Sequence, residues 1–555
     1  MTSAALPPSS EASPPPLDVP AFLAPLAAES KSGRPLTLRW RLDQLSALRR
    51  LVSENGPSIL SALKSDLGKD PVQASYTELQ TVTREIDHVL ARLKRWMTPR
   101  KVPTPGVFAA AYSEVRRVPL ATGGMERPAC LVVGSFNYPF SLSLLPAVGS
   151  LAGGNPTVIK PSEKCPATAE LMEKLVGRYL DEGAVRVIQG DVPVITALLS
   201  QPWGLIFFTG SERVGKIVAS SAARTLTPTV LELGGKAPCY VSSDCPTDLR
   251  SAADRIIWAK TLNCGQTCVA PDYVVVHERV KARLCREMKG SLDRMFGPDP
   301  RRSEYSRIVD ESAAERLVEM IREVEEETTD NETGPATKIE CGGSASCDPS
   351  SRYVPPTIVL DPPLTSRVMT EEIFGPILPV LTCRSEGEAV ELINSIPGTP
   401  LNLCVFTSSA ETYDRITRAC PAAGAHRNDC IIGNGSPFLP FGGLGSSGYG
   451  NYHGERSFDA FTHEYFSLYK PCHWIWEFGG LRYHPYNGST LFLKLNNAPA
   501  VPVLRRILLA LPLVVLLLAL IYVPALRPMG IAVSDRTADL LLWMAEHVRM
   551  VDAAQ

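Results

Sequence analysis

Residues 205–217 read Leu205-Ile206-Phe207-Phe208-Thr209-Gly210-Ser211-Glu212-Arg213-Val214-Gly215-Lys216-Ile217. Leu205 to Phe208 is a short β-rich run, and Gly210 and Gly215 flank the start of a helix. The stretch nearly spells a P-loop but fails at Ile217, where that motif needs Ser or Thr for magnesium. Upstream the same alternation recurs: Leu131 to Val133 and Thr157 to Ile159 are β-rich, and Ala167 to Tyr179 is helical. Strands alternating with helices from Cys130 to Asn263, and on to about Phe466, predict a parallel sheet flanked by helices, hence an α/β fold.

Leu36 to about Trp96 shows helical spacing of apolar residues, broken at Gly56-Pro57 and at Gly68 to Pro71. Pro103, Pro105 and Gly106 end that pattern before Val107 to Arg117, a strand or a bridging arm. The polar, glycine-containing stretch Thr328 to Ser351 reads as a surface loop. The Pro-, Ser- and Ala-rich first 34 residues read as a flexible extension, since the apolar patch Ala21 to Ala28 lacks the basic region of a signal peptide.

With 555 residues the chain is long enough for two or three structural units. Its net charge of −2 and lack of a basic tract argue against nucleic acid as a partner. The 14 cysteines have no regular spacing, which points to a reducing compartment, and no His/Cys set has zinc spacing, so no metal is expected. Ile507 to Leu526 is an uncharged run long enough to cross a hydrocarbon core of roughly 30 Å as a helix. Arg505 and Arg506 before it favour a cytosolic N-terminal side, giving a single-pass C-terminal anchor with the large part facing the cytosol. The organelle is left open among endoplasmic reticulum, mitochondrial outer membrane, peroxisome and lipid droplet. The aromatic connector from Trp474 to Tyr486 suits either a membrane interface or ordinary packing.

A cysteine follows a Gly-Gln pair in Asn263-Cys264-Gly265-Gln266-Thr267-Cys268. Alone it reads as core filler. Phe136-Asn137-Tyr138-Pro139-Phe140, Lys160-Pro161-Ser162-Glu163, Phe207 to Ser211, Leu231-Glu232-Leu233-Gly234-Gly235-Lys236, Glu371-Glu372-Ile373-Phe374-Gly375-Pro376 and the glycine-rich Pro440 to Gly448 accompany it. Together, over roughly residues 35 to 470, these segments resemble the aldehyde dehydrogenase superfamily. Gly265 to Tyr273 and Tyr452-His453-Gly454 are similar to its class 3 and fatty aldehyde branch, and the C-terminal hydrophobic run fits that branch's membrane-bound members.

The resemblance implies a Rossmann-like cofactor domain over 35–235 with a β bridging arm at about 100–128, and a catalytic domain over 236–430. An oligomerisation arm and connector would follow over 431–500, an anchor over 501–527 and a tail over 528–555. Cys268 would be the nucleophile, because hydride loss from an aldehyde first needs the tetrahedral carbon that a thiolate creates. Asn137 and the Cys268 backbone N–H would hold the resulting oxyanion, and Glu232 would activate the hydrolytic water. Lys160, Glu163, Gly210, Ser211, Gly215, Glu372 and Phe374 would hold NAD, with NADP as an alternative because class 3 relatives use both. His453 reads as a proton relay or a satisfied histidine, and Cys264 as an inactivating disulfide partner of Cys268 or an inert thiol. Medium to long-chain aliphatic aldehydes, membrane lipid and a second copy of the chain, with Ile431 to Ser436 at the interface, are the expected partners. A silent membrane scaffold and a coenzyme A-dependent acylating enzyme are the alternatives; the presence of Glu232 favours water as acceptor.

Overall fold

The computed structural model describes residues 18–104, 111–121, 126–245, 248–330, 337–473 and 483–485. These fall into two compact units, one drawn from residues 1–98 and 117–464, the other from 99–116 and 465–555. The anchor run Ile507 to Leu526, nearly all of the aromatic connector, the C-terminal tail and the 122–125 turn lie outside the described residues. Among the described residues no helix is long and apolar enough to cross a membrane.

The first unit holds two sheets. One runs Gly448–Tyr449, Thr229–Glu232, Ile206–Thr209, Cys130–Val133, Thr157–Lys160, Val185–Val187 in spatial order. All its neighbours are parallel except Gly448–Tyr449, which adds antiparallel beside Leu231 and Glu232. Leu131 and Val133 face one core with Ile206 and Phe208, whereas Cys130, Val132 and Phe207 face the other. Being covered on both faces is why these strands read as unbroken apolar runs rather than alternating ones. Chain order reverses between Cys130–Val133 and Ile206–Thr209, so the crevice beyond their carboxyl ends is the place where such a sheet takes a ligand. Asn137 follows the first of these strands and Gly210 the second.

The other sheet runs Lys338–Cys341, Thr357–Leu360, Ile377–Cys383, Tyr273–His277, Pro238–Val241, Leu403–Phe406, Ala425–Arg427, parallel apart from its first pair. The strands Arg100–Val102, Tyr112–Pro119 and Thr462–Tyr469 form a separate three-stranded sheet.

The N-terminal region is helical as expected, with Leu38–Glu54, Gly56–Leu67 and Gln80–Met97 as its main helices. Gly56-Pro57 opens the second of these, and Gly68, at φ +63°, closes it. Two expectations are corrected. From Val19 to Ser32 the supposed flexible extension is a helix whose Leu23 and Leu26 are buried against the first sheet. Pro20 sits in its first turn, where a missing N–H costs little. The supposed loop from Thr328 to Ser351 contains the edge strand Lys338–Cys341, which a bulge bends against Thr357–Leu360.

Candidate active site

Cys268 stands on a loop that leaves the helix Leu249–Thr261 through three consecutive left-handed residues, Asn263, Cys264 and Gly265, at φ +53°, +57° and +75°. Such a backbone costs about 1 kcal/mol or more at each non-glycine position, so neighbours must over-determine it. Asn263 Nδ2 donates to the carbonyls of Asn137 (2.7 Å) and Gln266 (3.1 Å). Gln266 Nε2 donates to those of Asn263 and Arg307, both at 3.0 Å, while its Oε1 accepts from the Val309 N–H at 2.9 Å. A Cβ at Gly265 would overlap the Gly375 carbonyl oxygen. Gly265→Ala should therefore lose roughly 3 kcal/mol of stability. Urea titration of the variant checks the magnitude, and activity should fall with it because the same turn carries Cys268.

Asn137 is buried, and one hydrogen of its Nδ2 goes to the Gln266 carbonyl at 3.1 Å. An amide nitrogen carries two, so one N–H is left for a ligand. Behind it lies a fully buried ion pair. Lys69 Nζ donates to Glu78 Oε1 (2.5 Å) and to the Asn137 carbonyl (2.9 Å) and sits 4.2 Å from the Tyr138 ring centroid. Glu78 Oε2 takes the Ser141 N–H at 2.8 Å, and Tyr138 Oη lies 2.7 Å from Thr267 Oγ1. Glu78 is directed inward by the π-type turn Ser75–Leu79, whose Tyr76 and Thr77 instead face a cavity.

That cavity, of about 140 Å³, is mainly apolar, with Leu145, Trp258, Ile431 and Phe441 among its walls, and Cys268, Glu232, Thr209 and His453 line it too. Asn137 is not on the wall; its amide is tucked beneath the Gln266 carbonyl. Ile431 to Gly435, which the resemblance assigns to a dimer interface, supplies wall residues here. Glu232 ends the strand Thr229–Glu232, register-paired with Thr209 on one side and Gly448 on the other. Neither Glu232 oxygen, nor Thr209 Oγ1, has a hydrogen-bond partner among the described residues. Burial without a cation raises the Glu232 carboxyl well above the usual carboxylate range. Burial, then the charges of Glu372 and Glu232, push the Cys268 thiol up to about 12. Cys264 is buried and free, its thiol also raised to about 12 by burial. His453, at φ +79°, is buried and lowered to about 4, so it is neutral at physiological pH.

The residues expected to hold a dinucleotide cluster around the carboxyl ends of the first sheet. Lys160 is buried and ion-paired with the half-exposed Glu163. Burial opposes the Glu163 charge, but the Lys160 hydrogen bond, a backbone hydrogen bond and the charges of Lys160 and Lys164 together outweigh it and keep the carboxyl below its ordinary value. Ser211 caps the helix Glu212–Ala223 by accepting from the Val214 N–H at 3.4 Å, and Glu212 is committed to Lys216 at 2.7 Å. A Cβ at Gly210 would come within 2.5 Å of the Phe208 ring, and one at Gly215 within 2.7 Å of Leu233, so a larger residue at either position would have to displace those side chains. Glu372 lies over Gly234, and its Oε1 takes the Gly235 N–H at 3.0 Å. Burial, then Asp272, lifts its carboxyl to about 7. Phe374, at φ +49°, meets Phe136 edge-on at 5.7 Å. A glycine-lined helix start beside a lysine and two carboxylates has the donor and acceptor set for a dinucleotide's pyrophosphate and ribose hydroxyls.

Several functional neighbours escape sequence reasoning. Lys236 Nζ binds Asp272 (2.6 Å) and the carbonyls of Val368 and Glu371 (both 2.8 Å), and Asp272 in turn accepts from the Ile373 N–H at 3.3 Å, which anchors the Glu372 segment. Asn402 ties the Val269 carbonyl (3.0 Å) to that of Cys430 (2.7 Å), with His426 Nδ1 2.8 Å from its Oδ1. Lys236 and Asp272 stood inside quoted motifs, but nothing in their spacing revealed that they pair. Lys69, Glu78 and Asn402 carried no local signal.

Residues 21–465 match the aldehyde dehydrogenase family. The chain is 40% identical over 456 residues to aldehyde dehydrogenase family 3 member H1 of Arabidopsis thaliana, covering 82% of this chain and 89% of that relative. It is 39% identical over 440 residues to the dimeric NADP-preferring aldehyde dehydrogenase of Rattus norvegicus, covering 79% and 92%. The fold matches the substrate-bound state of Staphylococcus aureus AldH with a TM-score of 0.79 at 34% identity, covering 86% of this chain and 98% of that one. This chain belongs to the aldehyde dehydrogenase family and is an NAD(P)+-dependent oxidoreductase acting on aldehydes.

Proposed function

We propose that this enzyme oxidises medium to long-chain aliphatic aldehydes to carboxylic acids, with Cys268 as nucleophile, Asn137 as oxyanion donor and Glu232 as general base. The observation that carries the reading is that Cys268 and Glu232 line one apolar cavity in which Glu232 has no partner of its own among the described residues. Cys268 sulfur adds to the aldehyde carbon, and the thiol proton passes to a base as the carbonyl oxygen becomes an oxyanion. The uncommitted Asn137 N–H and the Cys268 backbone N–H meet that charge. NAD(P)+, held by Lys160, Glu163, Gly210, Ser211, Gly215, Glu372 and Phe374, supplies the hydride acceptor. Glu232 then takes a proton from the water that cleaves the acyl thioester. Its raised pKa suits this work, because a more basic carboxylate takes a proton from water more readily.

Apolar walls favour an alkyl chain over a polar substrate. The run Ile507 to Leu526 adds to this reading by holding the enzyme at a bilayer where long-chain aldehydes collect, the catalytic part facing the cytosol. A homodimer accords with the rat relative, which is named as dimeric. Glu163 repels a 2′-phosphate and Lys160 attracts one, so both dinucleotides are used with NAD favoured. The test is an aldehyde chain-length series with full-length enzyme and each dinucleotide. kcat/KM should climb with chain length and be higher with NAD; a series that is flat or falls beyond short aldehydes rules out the substrate assignment.

A further inference from the structure

Asn402 lies at the foot of the strand Leu403–Phe406 and is fully buried. Its Nδ2 faces two carbonyl oxygens, those of Val269 at 3.0 Å and Cys430 at 2.7 Å. Carbonyls only accept, so both Nδ2 hydrogens are committed there, and Oδ1 is the atom turned toward His426 Nδ1, 2.8 Å away. That ring nitrogen must therefore carry a hydrogen. The other, Nε2, accepts from the Gly433 N–H at 3.1 Å, so it carries none. The buried amide thus holds a neutral imidazole in one tautomer, with its lone pair aimed at the turn Ile432–Gly435.

That turn is lightly held. Its other hydrogen bonds among the described residues run from the Asn434 N–H to the Ile431 carbonyl and from the Ser436 N–H to the Gly433 carbonyl, both at 3.1 Å. They close the turn on itself and do not fasten it to the sheet. Ile432 is 59% exposed, so side-chain burial adds little there. A Cβ at Gly433 would come within 2.6 Å of His426 Nε2, so the backbone rests directly on the ring. Ile431, Ile432, Asn434 and Gly435 are walls of the chamber over Cys268, and Val269, whose carbonyl Asn402 holds, is both a wall and the residue after the nucleophile.

We propose that His426 is a positioning residue for substrate selection: through Gly433 it sets the wall Ile431–Gly435 against the alkyl chain of an aldehyde, while Asn402 ties the same ring to the Cys268 loop. This rests on the aldehyde-oxidising reading above. A wall released from the ring stands in its chain-packing position for only part of the time, and affinity falls by that fraction. A two-carbon aldehyde has little chain to pack there; a long one loses apolar burial.

The test measures KM and kcat on full-length wild type, His426→Asn, His426→Gln and Gly433→Ala, for ethanal and for the longest saturated aldehyde that wild type oxidises. Asparagine keeps a donor for Asn402 but stops short of Gly433, whereas glutamine extends an acceptor to it. In His426→Asn the ratio of the long aldehyde's KM to that of ethanal should rise about fivefold, the worth of one neutral hydrogen bond, with kcat carrying little of the change. Glutamine should return the ratio toward wild type. Gly433→Ala, which wedges the wall off an intact ring, should raise it as asparagine does. A ratio unchanged in both His426→Asn and Gly433→Ala, or unrestored by glutamine, overturns the proposal. So does an equal rise in KM for both aldehydes or a loss confined to kcat, since either marks general damage to the site. In each of those cases wild type still oxidises aldehydes and that reading stands; wild type that oxidises neither aldehyde overturns both.

Discussion

Cys268→Ala is expected to reduce aldehyde oxidation on the order of 10⁶-fold, since loss of the covalent nucleophile removes the step on which hydride release depends. The fold should survive, because alanine keeps the Cβ and the loop is held by Asn263 and Gln266 rather than by the sulfur. Cys264→Ala is the matched control: its sulfur is buried away from the reaction, and most activity should remain. Retention of even one per cent of turnover by Cys268→Ala would transfer the nucleophile's role elsewhere. With the free thiol near 12, iodoacetamide should modify wild-type Cys268 slowly at neutral pH and faster with each rise in pH.

Glu232→Gln should lower turnover by about 10²- to 10⁴-fold. In wild type, burial raises the carboxyl's pKa, so turnover should increase with pH as the base form accumulates; in the variant that limb should be absent. Stability moves the other way. A carboxyl whose folded pKa exceeds its unfolded one contributes stability below the unfolded pKa, and that contribution is lost as pH rises through the folded value. Glu232→Gln should therefore melt above wild type at alkaline pH and level with it in acid. Thermal melts from pH 5 to 9 read this directly, and a variant equal to wild type throughout would mean Glu232 is not the desolvated acid described.

The strand runs around Leu131, Thr157 and Phe207 were legible because a sheet covered on both faces needs unbroken apolar segments, and only a few residue types build them. Cys268, Asn137 and Glu232 stood in short motifs whose residue types the proposed chemistry restricts. The support beneath them was not legible. Lys69 reaches Asn137 from 68 positions away, and nothing in the neighbourhood of a buried lysine announces its distant acceptor. The N-terminal helix was missed because Pro20 and Pro25 mimic a breaker pattern, yet Leu23 and Leu26 gain more from burial than the prolines cost. The Lys338–Cys341 strand was hidden in polar sequence because an edge strand has one open side and needs no apolar run.

Gly448 and Tyr449 complete the sheet beside Glu232 although more than 200 residues separate them in the chain. During synthesis, Glu232 and Cys268 are made long before the segment that pairs beside Glu232. The nascent polypeptide thus carries an open β edge until ribosomal elongation has passed residue 450, and catalytic competence arrives late, as one of the last long-range closures rather than with the first half of the protein.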